Sequence, residues 1–210
     1  MGGSTGGVAA AWASSSLGLE VFLLEETSWL GGQLTTQGVC TPDEQAHIEY
    51  FGATSRYSSF RNKIREYYCK NFQLSEEAQT KIHFNPGNCW VSKLSYEPKV
   101  GEKVLRELLE ESLDSGHLKI FFQHRAIECE MEGDRVSAVV AENSDGAKIR
   151  MVASIVLDAT DLGELLPMCG VEGEDWSTGA ESFAETGEPD APEFAKPHWV
   201  QPFTFPFASL

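Results

Sequence analysis

The sequence predicts a mixed α/β fold, and three observations carry it. A glycine-rich stretch, Gly2-Gly3-Ser4-Thr5-Gly6-Gly7, runs into small residues and then an apolar segment, Val21 to Leu24, that stops at Glu25. Later, apolar residues alternate in three short runs separated by Gly-containing turns, between Ile127 and Met151. Close behind them an apolar run, Ser154 to Leu157, enters Asp158-Ala159-Thr160-Asp161.

The first segment reads as a tight turn, a helix over Val8–Ala13 and a strand ending in an acid. The glycine fingerprint of a dinucleotide-binding βαβ unit fits in one register, with Gly2 and Gly7 in the outer places and Ser4 in the middle one. Glycines let backbone crowd a pyrophosphate, and a helix start offers unpaired N–H groups with a positive dipole end. Ser4 is small enough for a close approach, although its Cβ restricts the backbone. Ala11 supplies the small residue that close helix–strand packing needs. Glu25 lies eighteen positions past Gly7, where a carboxylate accepts hydrogen bonds from a ribose diol. The competing reading is a plain turn with a helix cap and a solvated strand-end carboxylate. A βαβ unit also has a strand before its glycines, so the chain is expected to start inside the turn, without its first strand.

Residues 30–42, from Leu30-Gly31-Gly32-Gln33-Leu34-Thr35 onward, read as a second glycine-rich loop. Residues 43–98 form an aromatic-rich insertion in which Phe60, Ile64, Tyr67 and Tyr68 recur at helical spacing, predicting a helix over 54–72. A helix over 99–115 carries Val104, Leu105, Leu108, Leu109 and Leu113 on one face, with Gly116 as its stop and Glu107, Glu110 and Glu111 on a solvated face. Leu118–Phe122 reads as a strand. The alternating runs follow, with turns at Glu132-Gly133-Asp134 and Asn143-Ser144-Asp145-Gly146, as a three-stranded antiparallel meander. Ser154–Leu157 reads as a buried strand. The acidic stretch from Val171 to Pro197 reads as a long loop, and Gln201–Phe207 as the opening of another strand.

Composition narrows the function. A formal net charge of −16 over 210 residues argues against nucleic acid and against an anionic membrane surface. It leaves room for an anionic cofactor, which helix-terminal N–H groups bind locally. No apolar run is long enough to span a membrane. The five cysteines, Cys40, Cys69, Cys89, Cys129 and Cys169, show neither a Cys-x-x-Cys redox pair nor zinc spacing. Such a scattered, odd set fits reduced thiols in a cytoplasmic protein. No metal site is expected.

A nucleotide-binding half, then helix, strand, meander and strand, is similar to the glutathione-reductase-like FAD domain. The runs Gly2–Ala11, Leu23–Thr35, Ile155–Pro167 and Thr178–Ser182, with Gln201–Thr204, resemble the FAD-dependent oxidoreductase family across nearly the whole chain. The resemblance implies a Rossmann-like FAD-binding domain with a three-stranded antiparallel β-meander, incomplete at both ends. It implies FAD as cofactor, with its pyrophosphate on Gly2, Gly3, Ser4, Thr5, Gly6 and Gly7 and its adenosine ribose on Glu25. It implies further contacts from Gly32, Gln33 and Leu34, from the backbone of Arg125 or Ala126, and from Thr160 and Asp161. Asp161 stands where the wider superfamily carries glycine.

Alternatives attach to several of these residues. Gln33 is a cofactor contact or a loop hydrogen-bonding group, and Asp161 a cofactor-loop residue or the cap of a helix opening at Leu162. His47, between Asp43-Glu44 and Glu49, is read as a solvated loop histidine rather than a metal or acid–base group. His124, Tyr57, Tyr67 and Tyr68 are read as structural. No catalytic base is nominated.

The expected organisation is an FAD-binding domain from 1–42 and 99–170, a helical, aromatic insertion or cap over 43–98, and the start of a substrate-side region over 171–210. The expected function is electron or hydride transfer to or from a small molecule by the full-length protein, with specificity set by the insertion and by residues beyond Leu210. This chain alone is expected to bind FAD poorly and to turn nothing over. Two alternatives are a non-catalytic fragment of such a flavoprotein and an NAD(P)-binding dehydrogenase domain. The latter shares the turn and the acid but leaves the meander unexplained.

Overall fold

A computed structural model describes residues 1–170, 176–203 and 206. The chain divides into two compact units. One comprises Met1–Arg125 with Ala159–Asp161, the other Ala126–Asp158 with Leu162–Leu210.

The first unit opens with α1 (Thr5–Ser16) and β1 (Val21–Glu25), the helix and strand that the sequence predicts. A single 3-10 turn, Gly32–Leu34, follows. The insertion supplies α2 (Ser55–Asn71) and a short α3 (Glu76–Thr80). Then come α4 (Pro98–Asp114) and β2 (Leu118–Phe122). β1 and β2 pair in parallel, with Leu23 opposite Ile120. Parallel strands need a crossover between them, and the insertion with α4 provides it.

Why α1 packs so closely is legible in its residues. Gly7, Val8, Ala11 and Ser15 are its buried positions, with Ala11 four past Gly7 and three past Val8 and Ser15 four past Ala11, one stripe of the helix. Ser15 Oγ donates to the Ala11 carbonyl at 2.7 Å and accepts from Ser112 Oγ on α4 at 2.8 Å, so even its polar face atom is satisfied. Val8, Ala11, Leu23, Leu30, Leu34, Ile64, Leu94, Val104, Leu109 and Leu118 form one core with Phe60 and Tyr68 from α2. The α4 face holds at Val104, Leu105 and Leu109, but Leu113 is 36% exposed because it lies in the last turn, past the neighbours that cover the earlier residues.

α2 also carries the insertion's ionic centre. Arg61 and Arg65 are buried, and both donate to Glu49; Arg61 and Tyr57 donate to Glu44, and His83 pairs with Glu49 at 3.2 Å. Arg65 Nε donates to the Phe84 carbonyl at 2.8 Å. The cluster therefore fastens residues 44–49 and 83–84 to one helix. Tyr68 adds a bond from its hydroxyl to Glu97 at 2.8 Å. The tyrosines thus hold the expected structural role, and Glu44 and Glu49 are structural ions. His47 is exposed and stacks on Phe51. Among the described residues no group of three or more His, Cys, Asp or Glu could hold a metal ion. Likewise no helix is long and apolar enough to cross a membrane.

The second unit is built on the meander. β3 (His124–Glu132), which starts at the end of the first unit, is followed by β4 (Arg135–Asn143) and β5 (Lys148–Met151), forming a sheet in that order. β4 and β5 are antiparallel, with Ala141 opposite Ile149. Their turn is closed by Gly146 donating to the Asn143 carbonyl and by Asn143 Oδ1 accepting from Asp145 and Ala147. Beyond it, the buried strand predicted over Ser154–Leu157 is absent. Ile155 is 77% and Leu157 53% exposed, and the segment belongs to neither sheet. Apolar content alone does not make a strand, which exists only where a neighbouring backbone completes the ladder.

Two short helices follow, α5 (Leu166–Cys169) and α6 (Phe183–Thr186). The loop expected from Val171 to Pro197 falls in part on residues 171–175, outside the described residues. The remainder holds α6, started by a capping box of Ser182 and Glu185, and a bridge between Ala180 and Lys196. Gly179 has a φ of +73°, and a Cβ there would overlap the Lys196 carbonyl. Thr204, Phe205 and Phe207 of the strand expected over Gln201–Phe207 lie outside the described residues, and Gln201–Phe203 form none.

Candidate functional site

Four separated segments of the first unit meet at the start of α1. The turn before the helix is glycine for steric reasons. Gly2 has a φ of +85°, and a Cβ there would enter the Ala159–Thr160 peptide; a Cβ on Gly7 would overlap the Gly2 carbonyl oxygen and come within 3.2 Å of Ala159 Cβ. These are the outer glycines of the fingerprint register. Ser4, in the middle place, sits at φ −60°, where any L residue is comfortable, and serves as N-cap: its Oγ accepts from Gly7 N–H at 3.3 Å. Serine therefore costs the turn nothing and satisfies one first-turn donor. The first-turn amides of Thr5 and Gly6, both exposed residues, have no intrahelical acceptor, and no acidic side chain stands in that turn. That leaves a local positive end on a strongly acidic protein.

Glu25 ends β1 buried, with both carboxylate oxygens engaged. Oε2 accepts from Gly3 N–H at 2.7 Å and Oε1 from Thr27 N–H at 2.8 Å. A Cβ on Gly3 would approach Oε2 to 2.8 Å, so the residue facing Glu25 must be glycine. Each oxygen retains a lone-pair site for a further donor.

The second glycine loop is bonded to the first. Gly31 N–H donates to the Gly3 carbonyl at 2.7 Å, and Thr5 Oγ1 donates to the Gly31 carbonyl at 2.8 Å. Gly31 and Gly32 have φ of +110° and +50°, and a Cβ on Gly32 would lie 3.1 Å from Ser4 Cα and 3.4 Å from Asp161 Oδ1. Leu34 is buried in the core, while Gln33 is exposed. Ala159 N–H donates to the Met1 carbonyl at 2.8 Å, which brings Thr160 and Asp161 to the same turn. No helix opens at Leu162. α5 begins at Leu166, and the side chain before it is Asp158, whose Oδ2 accepts from Leu165 N–H at 3.0 Å. Asp161 is thus not a helix cap, because four residues of turn separate it from the helix.

Of the sequence-predicted residues, Gly2, Gly3, Ser4, Thr5, Gly6, Gly7, Glu25, Gly32, Gln33, Thr160 and Asp161 gather around this turn. Leu34 joins them at the loop's buried end. Ala126 is buried on β3 in the second unit. Gly31, Thr27 and Ala159 were not singled out by sequence as parts of the site. Their contributions are backbone bonds and close packing, which leave no residue-type signature beyond the second glycine of the Gly31-Gly32 pair.

The arrangement fits a dinucleotide: glycine backbone on three sides that added methyl groups would fill, a helix start with unpaired amides, and a carboxylate fixed at one end. The NAD(P)-dehydrogenase alternative shares these features. Only the match to a protein family, given last below, separates the two. Solved structures similar to the chain include the myxobacterial chondrochloren halogenase CndH, an FAD-dependent halogenase, at 17% identity and a TM-score of 0.41 over 76% of this chain and 36% of that one. A 3-ketosteroid-Δ4-(5α)-dehydrogenase from Rhodococcus jostii matches at 15% identity and a TM-score of 0.38, covering 72% of this chain and 42% of that one. LpdA from Mycobacterium tuberculosis matches at 16% and 0.36, covering 74% and 29%. The chain thus spans well under half the length of these proteins. No curated protein sequence matches it. The FAD dependent oxidoreductase family matches over residues 1–206, so the chain belongs to that family, whose cofactor is FAD.

Proposed function

We propose that the turn at the start of α1 holds the FAD pyrophosphate, with Gly2, Gly3, Ser4, Thr5, Gly6 and Gly7 supplying close backbone and the Thr5 and Gly6 amides. Glu25 accepts from the adenosine ribose. Gly32, Gln33 and Leu34 follow the pyrophosphate and ribityl chain, with Thr160 and Asp161 closing the other side, and Ala126 offers backbone to adenine. The observation that carries the reading is the Gly32 cradle, where a single methyl would fill the space between Ser4 and Asp161. Bound flavin supplies the electron or hydride transfer. The chain's own groups bind and orient it: Glu25 fixes the ribose while holding Gly3, and Asp161, a carboxylate beside the pyrophosphate turn, sets its local charge.

In this reading 1–42 and 99–170 form the FAD-binding domain, 43–98 a cap, and 171–210 the start of a substrate-side region. The substrate is a small molecule, chosen by the cap's aromatic side chains. A cytoplasmic location accompanies this reading, supported by the odd number of scattered cysteines. Titration of FAD into a full-length version of the protein that includes the strand expected before Gly2, followed by flavin fluorescence, tests the site. Glu25→Ala should weaken binding by about 1–3 kcal/mol, the loss of charge-assisted hydrogen bonds to the ribose. Unchanged affinity in that variant removes Glu25 from the ribose site.

A further inference from the structure

We propose that Tyr96 and Cys40 are positioning residues for the second glycine loop: their hydroxyl and thiol hold the Leu34 carbonyl and so set the loop for FAD. The inference rests on the reading above that Gly32, Gln33 and Leu34 follow the cofactor, and it adds what fixes them. Tyr96 Oη donates to the Leu34 carbonyl at 3.2 Å, and Cys40 Sγ donates to the same oxygen at 3.3 Å. A carbonyl oxygen has two lone pairs, so the two donors fill it. Both residues are buried, and Tyr96 N–H donates to the Cys40 carbonyl at 3.1 Å. Cys40 stands just before the 43–98 insertion and Tyr96 near its end. The insertion is thus closed at its neck by a backbone bond, and both sides of the neck grip the loop.

The neck is itself held in place. Gly101, within α4, has no side chain where the Tyr96 ring passes: a Cβ there would come within 2.7 Å of Tyr96 Cε2 and 3.1 Å of the Leu34 oxygen. Glycine inside a helix is unfavourable relative to alanine, so this open position carries a cost that the Tyr96 contact explains. Phe60 of α2 meets the Tyr96 ring edge-on, with centroids 5.8 Å apart. Burial pushes the Cys40 thiol up to about 11 and raises the Tyr96 hydroxyl as well, so both keep the protons they donate at neutral pH. The loop needs such holding. Gly31 and Gly32 have φ of +110° and +50°, and glycine backbone has many other conformations open to it. At its start the loop is tied to the helix turn, through Gly31 N–H to Gly3 and Thr5 Oγ1 to the Gly31 carbonyl. At its end Leu34 is tied to the neck. A loop fixed at both ends loses less entropy when a ligand arrives.

The test uses a full-length version of the protein that includes the strand expected before Gly2. Hydrogen exchange of the apoprotein and FAD affinity by flavin fluorescence are measured for each variant. Tyr96→Phe keeps the ring and removes only the hydroxyl. It should speed exchange of the Leu34 and Thr35 amides, which donate to the Gly31 and Gly32 carbonyls at 3.0 and 2.9 Å. It should also weaken FAD binding about 5-fold, the scale of one net hydrogen bond. Cys40→Ala should act in the same direction, whereas Cys40→Ser, which keeps a donor, should match the unaltered protein. Tyr57→Phe is the control. It removes a hydroxyl bond of the same insertion, to Glu44, and should lower the urea midpoint while leaving loop exchange and FAD affinity alone. Either readout unchanged in Tyr96→Phe overturns the proposal, and so does a Tyr57→Phe variant that moves both as far. Gly32→Ala separates the proposal from the reading beneath it, since its methyl would meet Ser4 and Asp161. FAD affinity unchanged in that variant removes the loop from the cofactor site, and the proposal falls with it. Affinity lost in Gly32→Ala but intact in Tyr96→Phe overturns the proposal alone.

Discussion

Replacing Gly7 by alanine sets two opposed effects against each other. In an ordinary helix the change stabilises by about 0.5–1 kcal/mol, because alanine loses less backbone entropy than glycine. Here the added methyl would overlap the Gly2 carbonyl oxygen and stand 3.1 Å from its carbon and 3.2 Å from Ala159 Cβ. Neither neighbour is a flexible side-chain end. Gly2 carries a φ of +85° and donates from its amide to the Leu24 carbonyl at 2.9 Å, and Ala159 is tied to the Met1 carbonyl. The turn must therefore shift as a unit, at a cost of roughly 1–3 kcal/mol typical of overpacking. After subtracting the propensity gain, the net loss is about 0–2.5 kcal/mol, a fall of up to roughly 1.2 M in urea midpoint for a slope of about 2 kcal/mol per molar. Gly6 supplies the control. A Cβ there meets only Ser4 Oγ at 3.8 Å, an ordinary contact, so Gly6→Ala should gain about 0.5–1 kcal/mol. Urea unfolding of both variants, followed by far-UV circular dichroism and by the fluorescence of Trp12 on α1, decides the matter. A Gly7→Ala chain as stable as its Gly6→Ala counterpart would refute the packing of α1 against the turn.

Three further outcomes are expected. Arg61→Met should destabilise by about 3–5 kcal/mol, since it leaves the buried Glu44 and Glu49 short of a partner, and denaturant unfolding measures the loss. Acid should weaken the insertion through Glu49: burial pushes its carboxyl up, but the Arg65 hydrogen bond and the charges of Arg65, Arg61 and His83 outweigh that and hold it below the ordinary range. A depressed carboxyl contributes stability above its unfolded pKa, about 4.3, and loses it as the pH falls further through the folded value, so Glu49→Gln should flatten the acid limb of the urea midpoint against pH. His47→Ala should leave stability and FAD affinity unchanged, since the ring is exposed and stacks only on Phe51, and loss of flavin in that variant would move His47 into the cofactor site.

How much was legible before the structure follows from what each signal requires. β1, α2, α4 and β2 lie within a residue or two of their predicted bounds, and α1 runs three residues past its own at each end, because apolar periodicity and glycine stops are local and the same side chains form the core. The meander turns were legible for the same reason. Ser154–Leu157 was not, since a strand depends on a partner that composition does not disclose. At the site, Gly2, Gly7 and Glu25 stand in the register the fingerprint demands, and Ser4 proved to be a cap rather than a defect. The bonds that join the Gly31 loop to the turn run between backbone atoms, and Arg61 and Arg65 find their acids through folding. Neither leaves a mark in sequence spacing.

Gly3 offers its N–H to Glu25 and its carbonyl to Gly31, so one residue links the end of β1 to the Gly31 loop. Binding at one place therefore has a thermodynamic echo at the other. A ligand that engages only Glu25, such as an adenosine moiety, orders Gly3 and with it the Gly31 loop, lowering the entropy that remains to be lost when the far half of a longer ligand arrives. Linkage makes the effect reciprocal: whatever free energy the far half gains from an ordered loop, the adenosine half gains from the far half. Affinity for a whole dinucleotide should then exceed what its two halves suggest separately, and the excess resides in a residue with no side chain to mutate away.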